Sequence, residues 1–390
     1  MPPHRHPSGT KRHLVTLSAA PRIVGDMDHS AQHTSARGHG SVHGIVPAYL
    51  LARLAQSGRF PKAADAARQT LLAGRPKFRA RLNFSIDANG ALVAELGDAP
   101  NRTISDAGGT ETLPGVVVRA EDDPPVDDVS VNEAFDGLGA TFEMLLSAFQ
   151  RNSLDGAGAP LNATVHYGTD YDNAFWDGER MVFGDGDGEV FLGFTRSLTV
   201  IGHELAHGVI QHTANLEYQG QPGALNESIA DVFGALTEQY ALGQSAAEAS
   251  WLIGAGIFTA EVQGKALRSM IEPGTAYDDD ELGKDPQPAH MSDFVQTTED
   301  NGGVHINSGI PNRAFALTAR TLGGNAWERA GVVWYRALTG GLSATATFRE
   351  FADATVSAAE REYGEEVTAA IRDAWTTVGV LDAEGPRRTG

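Results

Sequence analysis

Hydrophobic positions along the chain change their spacing several times, and each change marks an element or a border. Val46, Leu50, Leu51 and Leu54 recur at helical spacing after Pro47, a residue suited to a helix start, so helix is predicted within 42–72. Apolar patches around 80–95 predict strands about the turn-like DANG at 87–90. The Asp-, Pro- and Gly-rich stretch from 97 to 130 predicts loop, interrupted by three valines at 116–118. From residue 131 the pattern becomes compact. Phe135, Leu138, Phe142 and Leu145 line one helical face, strands are expected at 163–167 and 180–183, and GDGDG at 184–188 precedes another at 189–194. Beyond 220 the spacing is mostly helical, at 225–242, 245–258, 312–322, 324–340, 346–361 and 364–378, with no internal repeat.

Composition narrows the classes. With 390 residues, 41% of them hydrophobic, the chain is long enough for two domains and a sizeable core. A formal charge of -20 argues against nucleic acid, and no apolar run approaches the ~20 residues of a membrane span. There is no cysteine, so any metal must sit on histidines and carboxylates. Residues 1–40 stand apart, with a net charge of +3 and six of the 13 histidines, and are expected to be a disordered basic tail. Lys11-Arg12-His13 followed by LVTLSAA at 14–20 makes a poor match to a signal peptide, because the apolar part is short and carries two hydroxyls.

Candidate chemistry gathers in GHELAHGVIQH at 202–212. In a helix His203 and His207 stand one above the other and can converge on one ion, while Glu204 lies beside them, within reach of a bound water. Leu198, Ile201, Leu205 and Val209 would bury the opposite side. Catalytic zinc usually takes three protein ligands. His212 does not fit as the third, being five residues from His207 and roughly 140° around the helix from it; it reads as a surface or capping histidine. Glu227 and Asp231 are again four apart, and one can bind the ion while the other accepts a hydrogen bond from the far nitrogen of a ligand histidine.

HELAHGV (203–209) followed by ALNESIADVFG (224–234), with YDNAFW at 171–176 and DNGGVHINSG at 300–309, resembles the thermolysin family of zinc endopeptidases. The likeness covers roughly 110–380 and implies an α+β, two-domain fold: a β-rich N-terminal domain and an α-helical C-terminal domain with the HELAH helix between them. It implies Zn2+ on His203, His207 and Glu227, with Asp231 holding His203. Glu204 would take a proton from the zinc-bound water and pass it to the leaving amine. Tyr218 and His305 would stabilise the oxyanion, with Asp300 orienting His305. Asn173 and the backbone of Ala174 would bind the peptide as an added strand, and Arg268 would grip a substrate carbonyl. Phe194, Val200, Ile253, Ile257 and Leu267 would line the pocket after the scissile bond, implying cleavage N-terminal to bulky apolar residues.

The sequence also departs from the family. Of the positions matching its double calcium site only Glu238 is acidic, against Thr199, Ser250, Leu252 and Ala255. Calcium is therefore a second candidate ion whose double site is expected to be absent or reduced. Lys265 replaces an acidic ligand at another calcium site, and Asp185 and Asp187 read as turn residues first. HGIVPAYLL at 43–51 resembles the short precursor motif of protealysin-type enzymes, with Ala48 in place of the second proline. The expected organisation is a tail at 1–40, a propeptide at 41–100 that inhibits until self-cleavage, a β-rich domain at 101–220 and a helical domain at 221–385. A monomeric, secreted neutral endopeptidase acting on polypeptides is the reading. The alternatives are a cytoplasmic location and a non-catalytic binding protein on a peptidase fold.

Overall fold

The computed structural model describes residues 44–73 and 99–382, together with the backbone of two short paired strands, β1 (Ser85–Ile86) and β2 (Leu92–Val93). The expected tail at 1–40, the basic-then-apolar stretch at 11–20 and most of 80–95 lie outside the described residues.

Two helices open the described chain. α1 (Ala48–Leu54) buries Leu50, Leu51 and Leu54, as its spacing predicts. α2 (Pro61–Leu72) starts with proline at its first position, where no N–H is needed, and packs a face of small residues, Ala63, Ala64, Ala66, Ala67 and Thr70. Its Ala63 N–H is capped from outside the helix, by Glu189 Oε2 at 3.0 Å.

β3 (Thr103–Asp106), β4 (Val116–Ala120), β5 (Asn162–Val165), β6 (Ala174–Trp176) and β7 (Met181–Phe183) form one mixed sheet in the order β4-β3-β5-β7-β6. β3, β5 and β7 run parallel, and the two edge strands are antiparallel to them. β6 is thus an edge, with one side of its backbone unpaired within the sheet. α3 (Val129–Phe149), capped by Asp128 on the Val131 N–H, crosses to the helical half.

α4 (Leu198–Gln211) and α5 (Gly220–Leu242) pack along each other. Two glycines allow it: a Cβ on Gly202 would lie 2.8 Å from Thr237 Oγ1, and one on Gly234 would lie 2.4 Å from Thr199 O. The two backbones therefore approach more closely than side chains would permit, which brings the inner faces of α4 and α5 into reach of one another.

The helix expected at 245–258 is not formed. Trp251, Gly254 and Gly256 have φ of 56°, 72° and 81°, outside the right-handed helix, and the segment instead makes β8 (Leu252–Ile253), paired with β9 (Arg268–Ser269). The apolar spacing there instead buries Trp251, Ile253 and Ile257 from a looped segment. A small hairpin, β10 (Asp278–Asp279) with β11 (Gly283–Lys284), follows. The rest is helical: α6 (Asp300–Asn307), α7 (Gly309–Leu322), α8 (Ala330–Thr339), α9 (Phe348–Glu362) and α10 (Glu365–Thr377). The helix expected from 324 begins only at Ala330, because Gly323 and Gly324 take φ of 64° and 67°. Trp334, Trp375, Phe315 and Phe351 pack at the centre of this bundle. The architecture is α+β, with the sheet in the N-terminal half and the bundle in the C-terminal half. Among the described residues no helix is long and apolar enough to cross a membrane.

Candidate active site

α4 carries His203, Glu204 and His207, and α5 faces them with Asn226, Glu227 and Asp231. His203 Nδ1 bonds Asp231 Oδ1 at 2.7 Å and His207 Nδ1 bonds Asn226 Oδ1 at 2.9 Å. Both partners accept, so each ring carries its proton on Nδ1 and turns a bare Nε2 inward. The two Nε2 atoms lie 3.1 Å apart, and each is 3.6 Å from a Glu227 oxygen. Two lone pairs and a carboxylate facing one point repel each other unless a cation sits between them. Glu227 Oε2 is buried without a hydrogen-bond partner, an arrangement that costs free energy in a dry interior. Two imidazoles and one carboxylate are a donor set suited to zinc. Among the described residues this is the sole group of three such side chains gathered closely enough to hold an ion.

Electrostatics around the point agree with that chemistry. Burial pushes His207 down to about 4, so its ring is neutral and free to ligate. Burial opposes the charge on Glu227, but the charged His305 ring foremost holds its carboxyl below the usual range. Asp231 is likewise disfavoured by burial and held ionised by Arg268 and His203. Its two oxygens accept from Arg268 Nε and Nη2, each at 2.8 Å, and Oδ2 also accepts from Asn312 Nδ2 at 2.8 Å. One carboxylate thereby positions both a candidate metal ligand and a candidate substrate clamp.

Glu204 is buried beside the cluster. Its Oε2 accepts from the Trp176 N–H at 2.9 Å, whereas Oε1 has no hydrogen-bond partner. Burial, followed by the Glu227 charge, raises its carboxyl well above the ordinary value. On the far side, the Tyr218 hydroxyl donates to Glu227 Oε1 and lies 3.3 Å from His305 Nε2. Asp300 accepts from His305 at the ring Nδ1 (2.6 Å) and at the backbone N–H (2.8 Å). Burial opposes protonation of His305, but Glu227 and Asp300 raise it to about 9, leaving a charged ring whose Nε2 donates. The turn that carries it needs its glycines: Gly302 and Gly303 have φ of 81° and 77°.

A cavity of 420 Å³ opens beside Glu204 and His207, with Trp176, Gln211, Tyr218 and Asn226 among its walls. The other side of the cluster is filled by the chain itself. The Ile45 N–H donates to Ala174 O on β6 at 3.0 Å. The Val46 N–H donates to Asn173 Oδ1 at 2.9 Å, and Asn173 Nδ2 donates back to Val46 O at 3.1 Å. Arg268 Nη1 donates to Ile45 O at 3.0 Å. The three groups expected to bind substrate backbone thus hold residues 45 and 46. Phe194, Val200, Ile253, Ile257 and Leu267 are buried, and a Cβ on Gly254 would touch both Leu267 and Ile257, so these two at least wall one space.

His212 caps the C-terminal end of α4 in an exposed position, outside the cluster. Asp187 accepts from the N–H groups of Glu189 and Val190, a turn role, and Asp185 pairs with His166. Sequence reasoning missed Asn226, Asn312 and the Trp176 N–H. Asn226 adjoins Glu227 in a segment already singled out, so its helical position was a usable signal. Asn312 and a backbone N–H had none.

Residues 95–211 match the family described as thermolysin metallopeptidase, catalytic domain, and residues 214–380 match its alpha-helical domain. An extracellular metalloprotease of Pectobacterium carotovorum subsp. carotovorum is 53% identical over 281 residues, covering 72% of this chain and 81% of that protein. Protease PrtS of Photorhabdus sp. (strain Az29) is 52% identical over 288 residues, covering 73% and 78%. The solved precursor of protealysin, a metalloproteinase from Serratia proteamaculans, superposes with a TM-score of 0.79 at 48% identity, covering 87% of this chain and all of that one.

Proposed function

This chain belongs to the thermolysin family of metallopeptidases and is a metalloendopeptidase; from that premise we propose that it is a secreted zinc enzyme, made as a self-inhibited precursor, that cuts N-terminal to bulky apolar residues. In this reading residues 41–100 are the propeptide, 101–220 the β-rich domain and 221–385 the helical domain. Secretion is supported by relatives named extracellular. Inhibition is supported by residues 45 and 46 filling the places meant for substrate backbone.

His203, His207 and Glu227 would hold the zinc, which supplies a Lewis acid that polarises the scissile carbonyl and acidifies water. Glu204 takes a proton from the attacking water on its unpartnered Oε1 and returns it to the leaving nitrogen. Tyr218 and the charged His305 donate hydrogen bonds to the oxygen that gains charge, and Asp300 keeps His305 protonated and aimed. Asn173 and Ala174 align the peptide as an added strand on β6, and Arg268, held by Asp231, takes the carbonyl after the scissile bond. The buried apolar residues Phe194, Val200, Ile253 and Leu267 favour a bulky side chain there. Asp231 keeps His203 in the ligating tautomer.

The observation that carries the reading is Glu204 Oε1, buried and unpartnered next to two inward-facing histidine nitrogens. Casein hydrolysis by zinc-loaded wild type and Glu204→Ala tests it. A loss of about 10²–10⁴-fold is expected, and equal activity in the two proteins defeats the assignment.

A further inference from the structure

We propose that the Gly44–Ile45 peptide bond is a cleavage site of this enzyme, cut in its own cleft while residues 45–73 remain docked. The proposal rests on the reading of Glu204, Asn173 and Arg268 given above.

Hydrogen bonds set the register. In that reading the residue after the scissile bond has its N–H at β6 and the catalytic glutamate, and its carbonyl on Arg268. Ile45 meets each condition. Its N–H donates to Ala174 O on β6, the strand whose Trp176 N–H binds Glu204, and its carbonyl accepts from Arg268 Nη1. Val46 then pairs at both its N–H and C=O with Asn173, as the next residue should. Ile45 is itself a branched apolar side chain with no exposed surface, which suits the pocket preference. The bond whose nitrogen this register sets on β6 beside Glu204 is therefore Gly44–Ile45.

The flanking residues fit this placement. A Cβ on Gly44 would stand 2.6 Å from Ala174 O and 2.7 Å from Asn173 Oδ1, so glycine lets the chain press against the edge strand where a larger residue would be pushed away. Pro47 has no N–H to continue the pairing and is extended, with φ -64° and ψ 144°, immediately before α1. The strand-like insertion is thus confined to the residues around the bond.

In the reaction, water oxygen bonds to the Gly44 carbonyl carbon and the C–N bond breaks. Glu204 carries the two water protons in turn to the Ile45 nitrogen, leaving a Gly44 carboxylate and an Ile45 ammonium. The new terminus keeps its contacts with Ala174, Asn173 and Arg268, and α1 and α2 keep theirs. This cut frees residues 1–44 and leaves a product that still plugs the cleft, so it precedes activation without causing it.

Intact mass and N-terminal sequencing of zinc-loaded wild type and Glu204→Ala provide the test. Wild type is expected to yield a product beginning at Ile45, at a rate independent of protein concentration, while Glu204→Ala stays whole. Wild type that degrades casein yet keeps the Gly44–Ile45 bond, or cuts it at a rate rising with concentration, overturns the proposal and leaves the peptidase reading standing. Loss of casein activity as well overturns both. A metal-free check is amide exchange in zinc-stripped Glu204→Ala. Ile45 and Val46 are expected to exchange at least 100-fold more slowly than free chain, and exchange at the free-chain rate removes the register.

Discussion

The cradle between α4 and α5 and the seam that receives residues 45–73 both bury polar groups, but they are held in different ways. In the cradle, charge answers charge. Asp231 binds Arg268 through two hydrogen bonds while also holding His203, and all three are almost wholly buried. In the seam, most contacts have a backbone group on at least one side. Asn173 pairs with the Val46 backbone as a peptide would, and the Asp172 N–H donates to Thr70 Oγ1 of α2 at 3.0 Å. The ion pairs that cross it, Lys62–Asp170 and Arg59–Glu261, are half exposed or more, and Lys62 also donates to the Asp187 carbonyl. Asp172 is fully buried beside Asp187, and neither of its carboxyl oxygens has a hydrogen-bond partner. Breaking a buried ion network strands a charge, whereas backbone-type bonds are exchanged for water at little net cost. On the proposed precursor reading, the difference suits one region that stays assembled and another that is released.

The largest effect is expected in the cradle. Asp231→Ala leaves the Arg268 guanidinium buried without its partner and His203 Nδ1 unheld, so stability should fall by about 3–5 kcal/mol and zinc affinity by roughly 10–100-fold. Urea unfolding and chelator competition measure the two losses. A change below about 1 kcal/mol would place the cradle with ordinary surface pairs and erase the contrast.

A smaller, local effect is expected in the seam. Asn173→Ala, made in the Glu204→Ala background so that the chain stays whole, removes the two hydrogen bonds that cross the seam, worth on the order of 1–2 kcal/mol together. Protection of the Val46 amide should drop about tenfold with little change in the global unfolding midpoint. A midpoint falling as far as in Asp231→Ala would mean that the seam is part of the permanent core.

The smallest effect depends on pH. Burial, then Asp187, holds the Asp172 carboxyl well above its ordinary value, with Asp170 adding to the repulsion; Lys62 and Glu189 are the other charged groups nearby. A carboxyl raised in the folded state favours folding when protonated. Its contribution is complete below about pH 4 and is lost as pH rises toward the raised value. Asp172→Asn, also in the Glu204→Ala background, should raise Tm at pH 8 and leave it unchanged near pH 4. A gain of equal size at both pH values would show that ionisation is not the cause.

Much of this organisation was legible in the chain. Helical spacing puts His203 and His207 on one face, and Glu227 and Asp231 on the next, because residues four apart in a helix share a face whatever surrounds them. The apolar rhythm of α1, α3, α9 and α10 likewise marks their positions. The failures are local and physical. Residues 245–258 carry helix-like spacing, but the left-handed φ at Trp251, Gly254 and Gly256 turns the chain into a looped wall instead. Asn226 and Asn312 act through neighbours that are distant in sequence or offset on the helix, so their hydrogen bonds leave no periodic trace.

The sequence by itself determined which residue types could meet at an ion and which helices would carry them, since helical periodicity is a property of the local chain. Only the tertiary structure decided that α4 and α5 approach through Gly202 and Gly234, that Asp231 joins His203 to Arg268, and that Ile45 and Val46 bond Ala174 and Asn173. Those facts depend on packing and on hydrogen bonds between residues up to 223 positions apart, and linear spacing carries no record of contacts at that range.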